Sequence, residues 1–190
     1  MPSPVGHTLL GIAFAESTPI RLAENRWVEF TLVALLANLP DLDFLPGYLL
    51  GQPLLFHRHE FHSLAAALAA GVLTALVYRT LGKRALPYLV LGTALFASHL
   101  LLDTTTAPGT PLLWPILDGY VQTPWTPFLP IEKVTTRAGF FGSLLTTHNA
   151  AVAAWETLLL LPVAVLGSFL RKPRRKRAAV PPSVAVRQGE

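Results

Sequence analysis

Two long apolar segments without a charged residue restrict what this chain can fold into. They cover residues 62–78 and 85–102. Each is close to the ~20 residues that an α-helix needs to cross the hydrocarbon of a bilayer. Charged residues make up 14% of the 190-residue chain and hydrophobic ones 52%, a balance that favours lipid over water as the surrounding solvent. The sequence therefore predicts an all-α membrane protein.

Three further apolar segments complete the predicted architecture. Residues 26–40 form a shorter span, which Pro40 should end because proline disfavours helical geometry in the residue before it. Residues 148–170 form the last span, and residues 4–15 are too few to cross alone. We predict a polytopic protein with about four transmembrane helices and a short, half-buried N-terminal helix, all within one membrane-embedded domain over residues 1–172.

Basic residues near the segment ends predict the orientation, because cytoplasmic loops are enriched in Lys and Arg. Arg21 and Arg26 precede the second segment, YRTLGKR joins the third to the fourth, and RKPRRKR follows the last. All three groups are expected in the cytoplasm. The last one opens a basic tail, residues 173–190, that we expect to be disordered and cytoplasmic. Because the excess positive charge is concentrated in this tail, it does not indicate nucleic-acid binding.

This orientation gathers histidines and carboxylates at one face of the membrane. The second segment ends at the outer side, the third begins there, the fourth ends there and the fifth begins there. Although Lys and Arg alone set the orientation, every histidine and four carboxylates arrive on the non-cytoplasmic side. These residues are His7, Asp41, Asp43, His57, His59, Glu60, His62, His99, Asp103 and His148.

Two short spacings within this set favour a cation site. His99 and Asp103 are four residues apart in a predicted helix, so they point the same way. They can bind one metal ion, the carboxylate can orient the imidazole, or the two can form a purely structural pair. Asp41 and Asp43 would face the same side of an extended stretch and would repel each other unless a cation neutralised them. A solvated turn is the alternative for this second pair.

The sequence HRHEFHS, residues 57–63, places three histidines at the entry to a predicted membrane helix. His57 and His62 are five residues apart and do not share a helical face, so His57 is expected in the preceding loop. His59 and His62 would share a face if the helix began early. A polar helix cap at Ser63 explains one or two of these side chains, but not three histidines.

The type of metal follows from the available ligands. The chain has no cysteine, so a metal site must be built from histidine and carboxylate. Such ligands suit zinc, with manganese or iron as alternatives. The motifs HExxH and GxSxG and a Gly-rich phosphate loop are absent from the sequence, so the common zincin, serine-hydrolase and nucleotide-binding classes have no support.

The order of these motifs also resembles a known family. Glycine-histidine near the start, LPDLD, HRHEFHS and SHLLLDTTTAPGTPLLWP, over residues 6–115, resemble the YdjM-like family of membrane-bound metal-dependent hydrolases. The resemblance implies an α-helical inner-membrane protein with metal-dependent hydrolase activity. The polar positions of the family fall on His7, Asp41, Asp43, His57, His62, His99 and Asp103. After HR the family often carries glycine and a hydrophobic residue, whereas this chain has His59 and Glu60, which leaves open whether His59 is an extra ligand.

These observations predict a hydrolase that acts on a phosphoester or ester through a metal-activated water, with one or two ions at the outer membrane face. The first candidates as direct ligands are His7, His62, His99 and Asp103. Asp41 or Asp43 could bridge two ions, and the other, or Glu60, could act as general base. Arg58 could hold an anionic substrate, since a guanidinium forks onto phosphate oxygens.

The predicted outer loop, residues 104–139, favours a substrate with a lipid tail. It is rich in proline and glycine, and its Trp114 and Trp125 suit the membrane interface. We therefore expect membrane lipid as a partner and a lipid-linked or other phosphoester as the substrate. The sequence leaves open the oligomeric state and any part that His148 and Glu156 play in the site.

Two other functions stay open. A metal-binding transporter or sensor would need polar residues across the membrane, and residues 62–78 and 85–98 contain only scattered Ser and Thr. The second alternative is a structural scaffold, in which the metal only holds helices together. Such an ion could not be removed without unfolding the protein.

Overall fold

The computed structural model describes residues 1–170, which contain seven α-helices and two short 3-10 helices and no β-strand. The α-helices are α1 (Pro4–Glu16), α2 (Arg26–Asn38), α3 (Phe44–Leu49), α4 (Leu64–Thr80), α5 (Ala85–Asp103), α6 (Phe140–Ser143) and α7 (Thr147–Leu170). The 3-10 helices are Leu39–Asp43 and Glu60–His62. The all-α prediction is confirmed for this part of the chain. The predicted basic tail, 173–190, lies outside the described residues.

Two helices are long and apolar enough to cross a membrane, namely α5, with 19 residues, and α7 over Thr147–Phe169, with 23. The helix α4 is also apolar but has 17 residues, and α1 and α2 have 13 each. Since a helix rises about 1.5 Å per residue, 13 residues cover about 20 Å of a hydrocarbon layer roughly 30 Å thick. The structure thus contains two candidate spans and a shorter apolar helix. The presence of four transmembrane helices stays a prediction.

The chain after α2 differs from the sequence-based expectation. The helix ends at Asn38, two residues before Pro40, as predicted. The following residues are not extended, however, and Leu39–Asp43 continues as a 3-10 helix into α3. Proline fits the first turn of a helix because its missing N–H would have no partner there. The extended geometry that we predicted for Asp41 and Asp43 is therefore wrong.

The entry to α4 is fixed by a cap. The Ser63 hydroxyl accepts a hydrogen bond from the backbone N–H of Ala66 and donates to the carbonyl of Glu60. The helix therefore begins at Leu64 and does not extend back to His59. The 3-10 turn before it buries His62 and leaves His59 exposed, so these two histidines do not share a buried face.

Small residues bring α4 and α5 close together. Gly71 of α4 and Gly92 of α5 face each other's helices, where a Cβ on Gly71 would lie 2.6 Å from the carbonyl oxygen of Leu89. Such contacts between small residues are typical of helices packed in membranes. The helix α1 packs against α2, α5 and α7, while its Val5 and Phe14 remain exposed. This packing holds the N-terminal half of α1 beside the C-terminal end of α5.

Candidate metal centre

The fold brings histidine and aspartate side chains from five segments into one buried cluster. They come from α1, the two 3-10 helices, the loop before the second 3-10 helix, and the last turn of α5. We call this set the His/Asp cluster, and its members are His7, Asp41, Asp43, His57, His62, His99 and Asp103. The side chains of His7, His62, His99 and Asp103 are fully buried, whereas 16% of the Asp41 side chain is exposed. The residues that the sequence singled out as ligands therefore lie together.

Two imidazole nitrogens at the centre of the cluster each lie at nearly equal distances from two carboxylate oxygens. The distances are 3.8 Å for His62 Nε2 to Asp41 Oδ1, 3.5 Å for His62 Nε2 to Asp103 Oδ2, 3.6 Å for His99 Nε2 to Asp41 Oδ1 and 3.7 Å for His99 Nε2 to Asp103 Oδ2. These are longer than hydrogen bonds between nitrogen and oxygen, which are about 2.7–3.2 Å. Two ligands at about 2.0–2.2 Å from a tetrahedral zinc ion would be about 3.3–3.5 Å apart. These nitrogen–oxygen distances are therefore compatible with ligands of one divalent ion, and the ligand atoms of His62, His99 and Asp103 all lie within 4.8 Å of one another.

The hydrogen bonding of His99 leaves its second ring nitrogen facing negative charge. Nδ1 lies 2.8 Å from the carbonyl oxygen of Ala37, which can only accept, so Nδ1 donates its hydrogen there. In the neutral ring, Nε2 then carries a lone pair, and this lone pair faces the carboxylates of Asp41 and Asp103. Nε2 has no hydrogen-bond partner among the described residues. A cation between these groups would remove the repulsion.

His7 adds a fifth imidazole or carboxylate group to the centre. Both of its ring nitrogens are buried, and neither has a hydrogen-bond partner in the described part of the chain. Its ring stacks on His99 with centroids 3.6 Å apart, and Nε2 lies 3.6 Å from Asp103 Oδ1. His7, Asp41 and His99 also offer ligand atoms that lie within 4.8 Å of one another. His7 could therefore complete the shell of the same ion or take part in binding a second one.

Asp43 lies against the opposite nitrogen of His62. Its Oδ2 is 3.1 Å from His62 Nδ1, while Nε2 of that ring faces the central carboxylates. Asp43 Oδ1 accepts a hydrogen bond from His57 Nδ1 at 2.8 Å, and Oδ2 accepts one from the backbone N–H of Arg58 at 3.0 Å. A carboxylate behind a metal-binding imidazole orients the ring and strengthens it as a ligand. This placement favours an orienting role for Asp43, and it holds His57 Nδ1 4.0 Å from Asp41 Oδ1.

The pKa shifts of His62 and Asp41 reflect an excess of carboxylate in the pocket. Burial by itself would lower the pKa of His62, but the neighbouring Asp41 and Asp43 carboxylates outweigh burial and raise it to about 9. Burial would raise the pKa of Asp41, but the imidazoles of His99 and His62 hold it well below its usual range. The pocket therefore attracts positive charge, and a divalent ion would compete there with the proton on His62.

The guanidinium of Arg58 is bonded to the protein and does not point to open space. One terminal nitrogen lies 3.2 Å from Asp103 Oδ1 and donates to the Thr106 hydroxyl at 2.8 Å. The other donates to the carbonyls of Ala107 and Gly109 at 3.1 and 3.3 Å. Arg58 is only 6% exposed and has a φ of 61°, in the region that L-residues rarely adopt. These contacts favour a role in positioning Asp103 over the predicted binding of substrate.

The remaining candidates lie away from the centre. Glu60 and His59 are exposed, and no hydrogen bond or ion pair joins their side chains to the His/Asp cluster within residues 1–170. His148 is also exposed, and its Nε2 donates to the carbonyl of Pro130 at 3.1 Å. The structure thus does not bring Glu60 to the place where a general base would act.

Glu156 has a structural position. It is fully buried in α7 and accepts hydrogen bonds from the backbone N–H groups of Ser3 at 2.8 Å and Gly6 at 3.2 Å, and from the Ser3 hydroxyl. A carboxylate is favourable at a helix N-terminus, where backbone N–H groups have no partner within the helix. Glu156 therefore holds the start of α1, and with it His7, against α7.

The structure also brings one residue to the cluster that sequence reasoning missed. Lys133, from the loop between α5 and α6, places Nζ 3.3 Å from His57 Nε2 and next to the Met1 thioether. Burial lowers its pKa, although Asp41 and other carboxylates nearby act in the opposite direction. Lys133 and His57 are 76 residues apart, and no motif or helical spacing relates them.

Comparison with known proteins supports the resemblance noted from the motifs. The family model "YdjM inner membrane protein" matches residues 1–174. The Inner membrane protein YdjM of Escherichia coli (strain K12) and that of Shigella flexneri are each 37% identical over 133 residues, covering 58% of this chain and 64% of the relative. The chain thus spans less than two thirds of these relatives, and no solved structure matches it. Since the family match includes all of the described residues, the chain belongs to the YdjM inner membrane protein family.

Proposed function

We propose that this protein is a metal-dependent hydrolase of the inner membrane that acts on a phosphoester or ester. The observation that carries the proposal is the buried centre of the cluster, where two imidazole nitrogens without a hydrogen-bond partner among the described residues each lie 3.5–3.8 Å from two carboxylate oxygens. Zinc is the first candidate for the ion, with manganese or iron as alternatives, because the ligands are imidazole and carboxylate. The ion would be held by Asp41, His62, His99 and Asp103, with His7 beside them.

A bound divalent ion would lower the pKa of its water and polarise the bond to be hydrolysed. The protein's own groups prepare the ligands for it. Asp43 holds the Nδ1 side of His62, and the carbonyl of Ala37 accepts from Nδ1 of His99. Both arrangements leave Nε2 as the donor atom that faces the ion. The guanidinium of Arg58 holds Oδ1 of Asp103, so Oδ2 faces the centre.

Asp41 is the best placed carboxylate to meet a substrate and to accept a proton. Its side chain is 16% exposed, compared with 2% for Asp43 and 0% for Asp103. A proton acceptor must be within hydrogen-bond reach of the water that it activates. This requirement favours Asp41 over the exposed Glu60, whose side chain is not joined to the cluster.

An apolar groove beside the cluster supports a substrate with a lipid tail. The groove has a volume of about 490 Å³ and is also lined by Asp43 and Glu60. Its apolar walls are formed by Leu39, Leu42, Leu45, Pro46, Phe56 and Phe61. Ligand sites are mostly apolar with a few polar groups at one place. The groove could therefore take an acyl chain while the cluster acts on the group that the chain carries.

The distribution of basic residues supports a site on the non-cytoplasmic side. Arg21, Lys83 and Arg84 line one pocket, at the start of α2 and between α4 and α5. The His/Asp cluster lies at the other ends of α2 and α5. Because Lys and Arg are enriched on the cytoplasmic side, we propose that the cluster faces outward.

Hydrolysis by the metal-loaded protein tests the proposal. Purified protein in detergent should retain zinc or manganese and hydrolyse at least one phosphoester or carboxylic ester in a broad panel. The His99→Ala variant should lose both metal and activity, whereas His148→Ala, which removes an exposed histidine outside the cluster, should keep both. A wild-type protein with stoichiometric metal and no activity on the panel would contradict hydrolysis. Metal that leaves only on unfolding would instead favour a metal-stapled scaffold.

A further inference from the structure

The loop that carries Lys133 is tied to the helical core on both sides. The backbone N–H of Ile131 donates to the carbonyl of Met1 at 3.0 Å. The buried side chain of Asn149, in the first turns of α7, accepts from the backbone N–H of Glu132 at 2.8 Å and donates to its carbonyl at 2.9 Å. The backbone beside Lys133 is therefore fixed, and the side chain is directed to the His/Asp cluster.

The ammonium group of Lys133 has neutral contacts there. Its Nζ lies 3.3 Å from His57 Nε2 and against the Met1 thioether. The Nδ1–H of His57 is donated to Asp43, so the lone pair of Nε2 can accept from the ammonium, and Nε2 also lies 2.7 Å from the Met1 sulfur. Among the described residues, no carboxylate oxygen lies within 4.0 Å of Nζ. The carboxylates of the pocket act on this cation only from beyond that distance. Once a divalent ion neutralised them, an anion supplied from outside the chain would be needed to compensate the ammonium.

The charges of the pocket lead to the same conclusion. The cluster holds three carboxylates, those of Asp41, Asp43 and Asp103, and the guanidinium of Arg58 contacts one of them. One divalent ion together with Arg58 would neutralise the three carboxylates. Burial lowers the pKa of the Met1 terminal amine in the same pocket to about 5, so that amine is neutral at pH 7. The ammonium of Lys133 then leaves a surplus of one positive charge, which a substrate anion would balance.

We propose that Lys133 is the anion-binding residue of this site and that the substrate is a phosphoester whose negatively charged phosphate oxygens contact its ammonium group. The inference rests on the proposed hydrolase function and narrows its substrate class from esters in general to anionic phosphoesters. Lysine suits this role because its compact positive charge binds phosphate oxygens without a fixed orientation.

Binding of inorganic phosphate to the zinc-loaded protein tests the role of Lys133 without relying on turnover. Calorimetric titration in detergent should show that Lys133→Gln weakens phosphate binding about tenfold or more, as expected for the loss of a hydrogen bond to a charged group. Lys133→Arg should remain within about threefold of wild type because it keeps the charge. The matched control is Lys83→Gln, which removes an exposed lysine between α4 and α5 and should leave phosphate binding unchanged.

The source of the phosphate is distinguished in the same titration. Short-chain phosphatidic acid that competes more strongly than inorganic phosphate would assign the anion to a lipid headgroup, whereas equal competition would assign it to a soluble phosphoester. The kcat/KM of Lys133→Gln should fall about tenfold on p-nitrophenyl phosphate and less than threefold on the neutral p-nitrophenyl acetate.

Three results would overturn the inference. They are unchanged phosphate affinity in Lys133→Gln, loss of zinc from that variant, and failure of zinc-loaded wild type to bind phosphate. Elemental analysis of every sample separates this failure from that of the proposed function. Wild-type protein that takes up no metal would contradict the hydrolase proposal itself, and normal zinc content with unchanged phosphate affinity would contradict only the role of Lys133.

Discussion

The two ends of the α4–α5 pair both carry polar side chains, but the surroundings of these side chains differ. Where α4 joins α5, Lys83 and Arg84 are exposed, and the Tyr78 hydroxyl donates to the carbonyl of Leu22 at 2.5 Å. At the opposite end, His62 and Asp103 are fully buried, and several of their polar atoms lack a hydrogen-bond partner within the described residues. Leaving a buried polar atom unpaired costs about 1–3 kcal/mol, whereas an exposed one is hydrated at little cost.

This difference separates two uses of polar residues at a membrane. The exposed cations can contact water and lipid headgroups and contribute to orientation without any defined partner. In the buried cluster, the proposed metal ion would compensate the carboxylates and the lone pairs that face them. The comparison therefore predicts that substitutions at the two ends affect different properties, and that only one end responds to metal.

The largest expected effect is that of Asp103→Asn. Asp103 lies within 3.7 Å of donor atoms from His7, Arg58, His62 and His99, so it is the most connected carboxylate of the cluster. Metal should stabilise the wild-type protein against heat, by about 4 kcal/mol at a thousandfold excess of metal over Kd. The variant should show no such stabilisation in thermal unfolding with and without zinc. Asp118→Asn, an exposed carboxylate in the following loop, is the control and should respond like wild type.

The next effect distinguishes an orienting carboxylate from a ligand. Asp43 contacts the Nδ1 side of His62, so Asp43→Asn should weaken zinc affinity about 10–100-fold and still bind one equivalent at saturation. Asp41→Asn removes the negative charge of a carboxylate whose Oδ1 faces two imidazoles, and it should abolish stoichiometric binding. Competition titration with a chelator measures both affinities. If the two variants lost zinc affinity to the same extent, Asp43 would be a direct ligand and not an orienting carboxylate.

The sequence was informative where the geometry is local. Helical spacing alone predicts that His99 and Asp103 share a face, and long apolar segments predict the helices that form α4, α5 and α7. The conformation of the segment after α2, which carries Asp41 and Asp43 into the cluster, was harder to predict. A proline two residues beyond a helix end is compatible with an extended chain or a 3-10 turn, and packing against α5 decides between them.

The parts that were not predicted depend on contacts between distant residues. The carbonyl of Ala37 fixes the ring of His99 across 62 residues, and Lys133 reaches His57 across 76. Every residue has a backbone carbonyl, so a sequence pattern cannot indicate which carbonyl accepts from His99. A single lysine in a long loop likewise has no spacing that relates it to the cluster. The same holds for Arg58. We predicted that it binds substrate because the sequence does not reveal that its side chain is buried against the loop after α5.

A smaller effect is expected at the basic end. Tyr78→Phe removes the hydrogen bond to the carbonyl of Leu22 but keeps the ring, which stacks on Tyr88 with centroids 3.9 Å apart. Stability should fall by about 0.5–1.5 kcal/mol, the usual net contribution of one hydrogen bond. Chemical denaturation in detergent measures this loss, and zinc affinity should stay at the wild-type value. A change in zinc affinity would mean that the two ends of the α4–α5 pair are coupled.

The smallest effect is predicted for His59→Ala, although His59 lies in the same short motif as two histidines of the cluster. The cap at Ser63 starts α4 too late for His59 to share a buried face with His62, and its side chain is exposed. We therefore expect zinc affinity within about twofold of wild type, since surface substitutions away from such contacts usually have small effects. The comparison with His62→Ala is the sharpest available, because both variants remove one imidazole within four residues of sequence. Loss of metal from His59→Ala would show that the loop before α4 closes over the ion and that exposure does not separate the ligands from their neighbours.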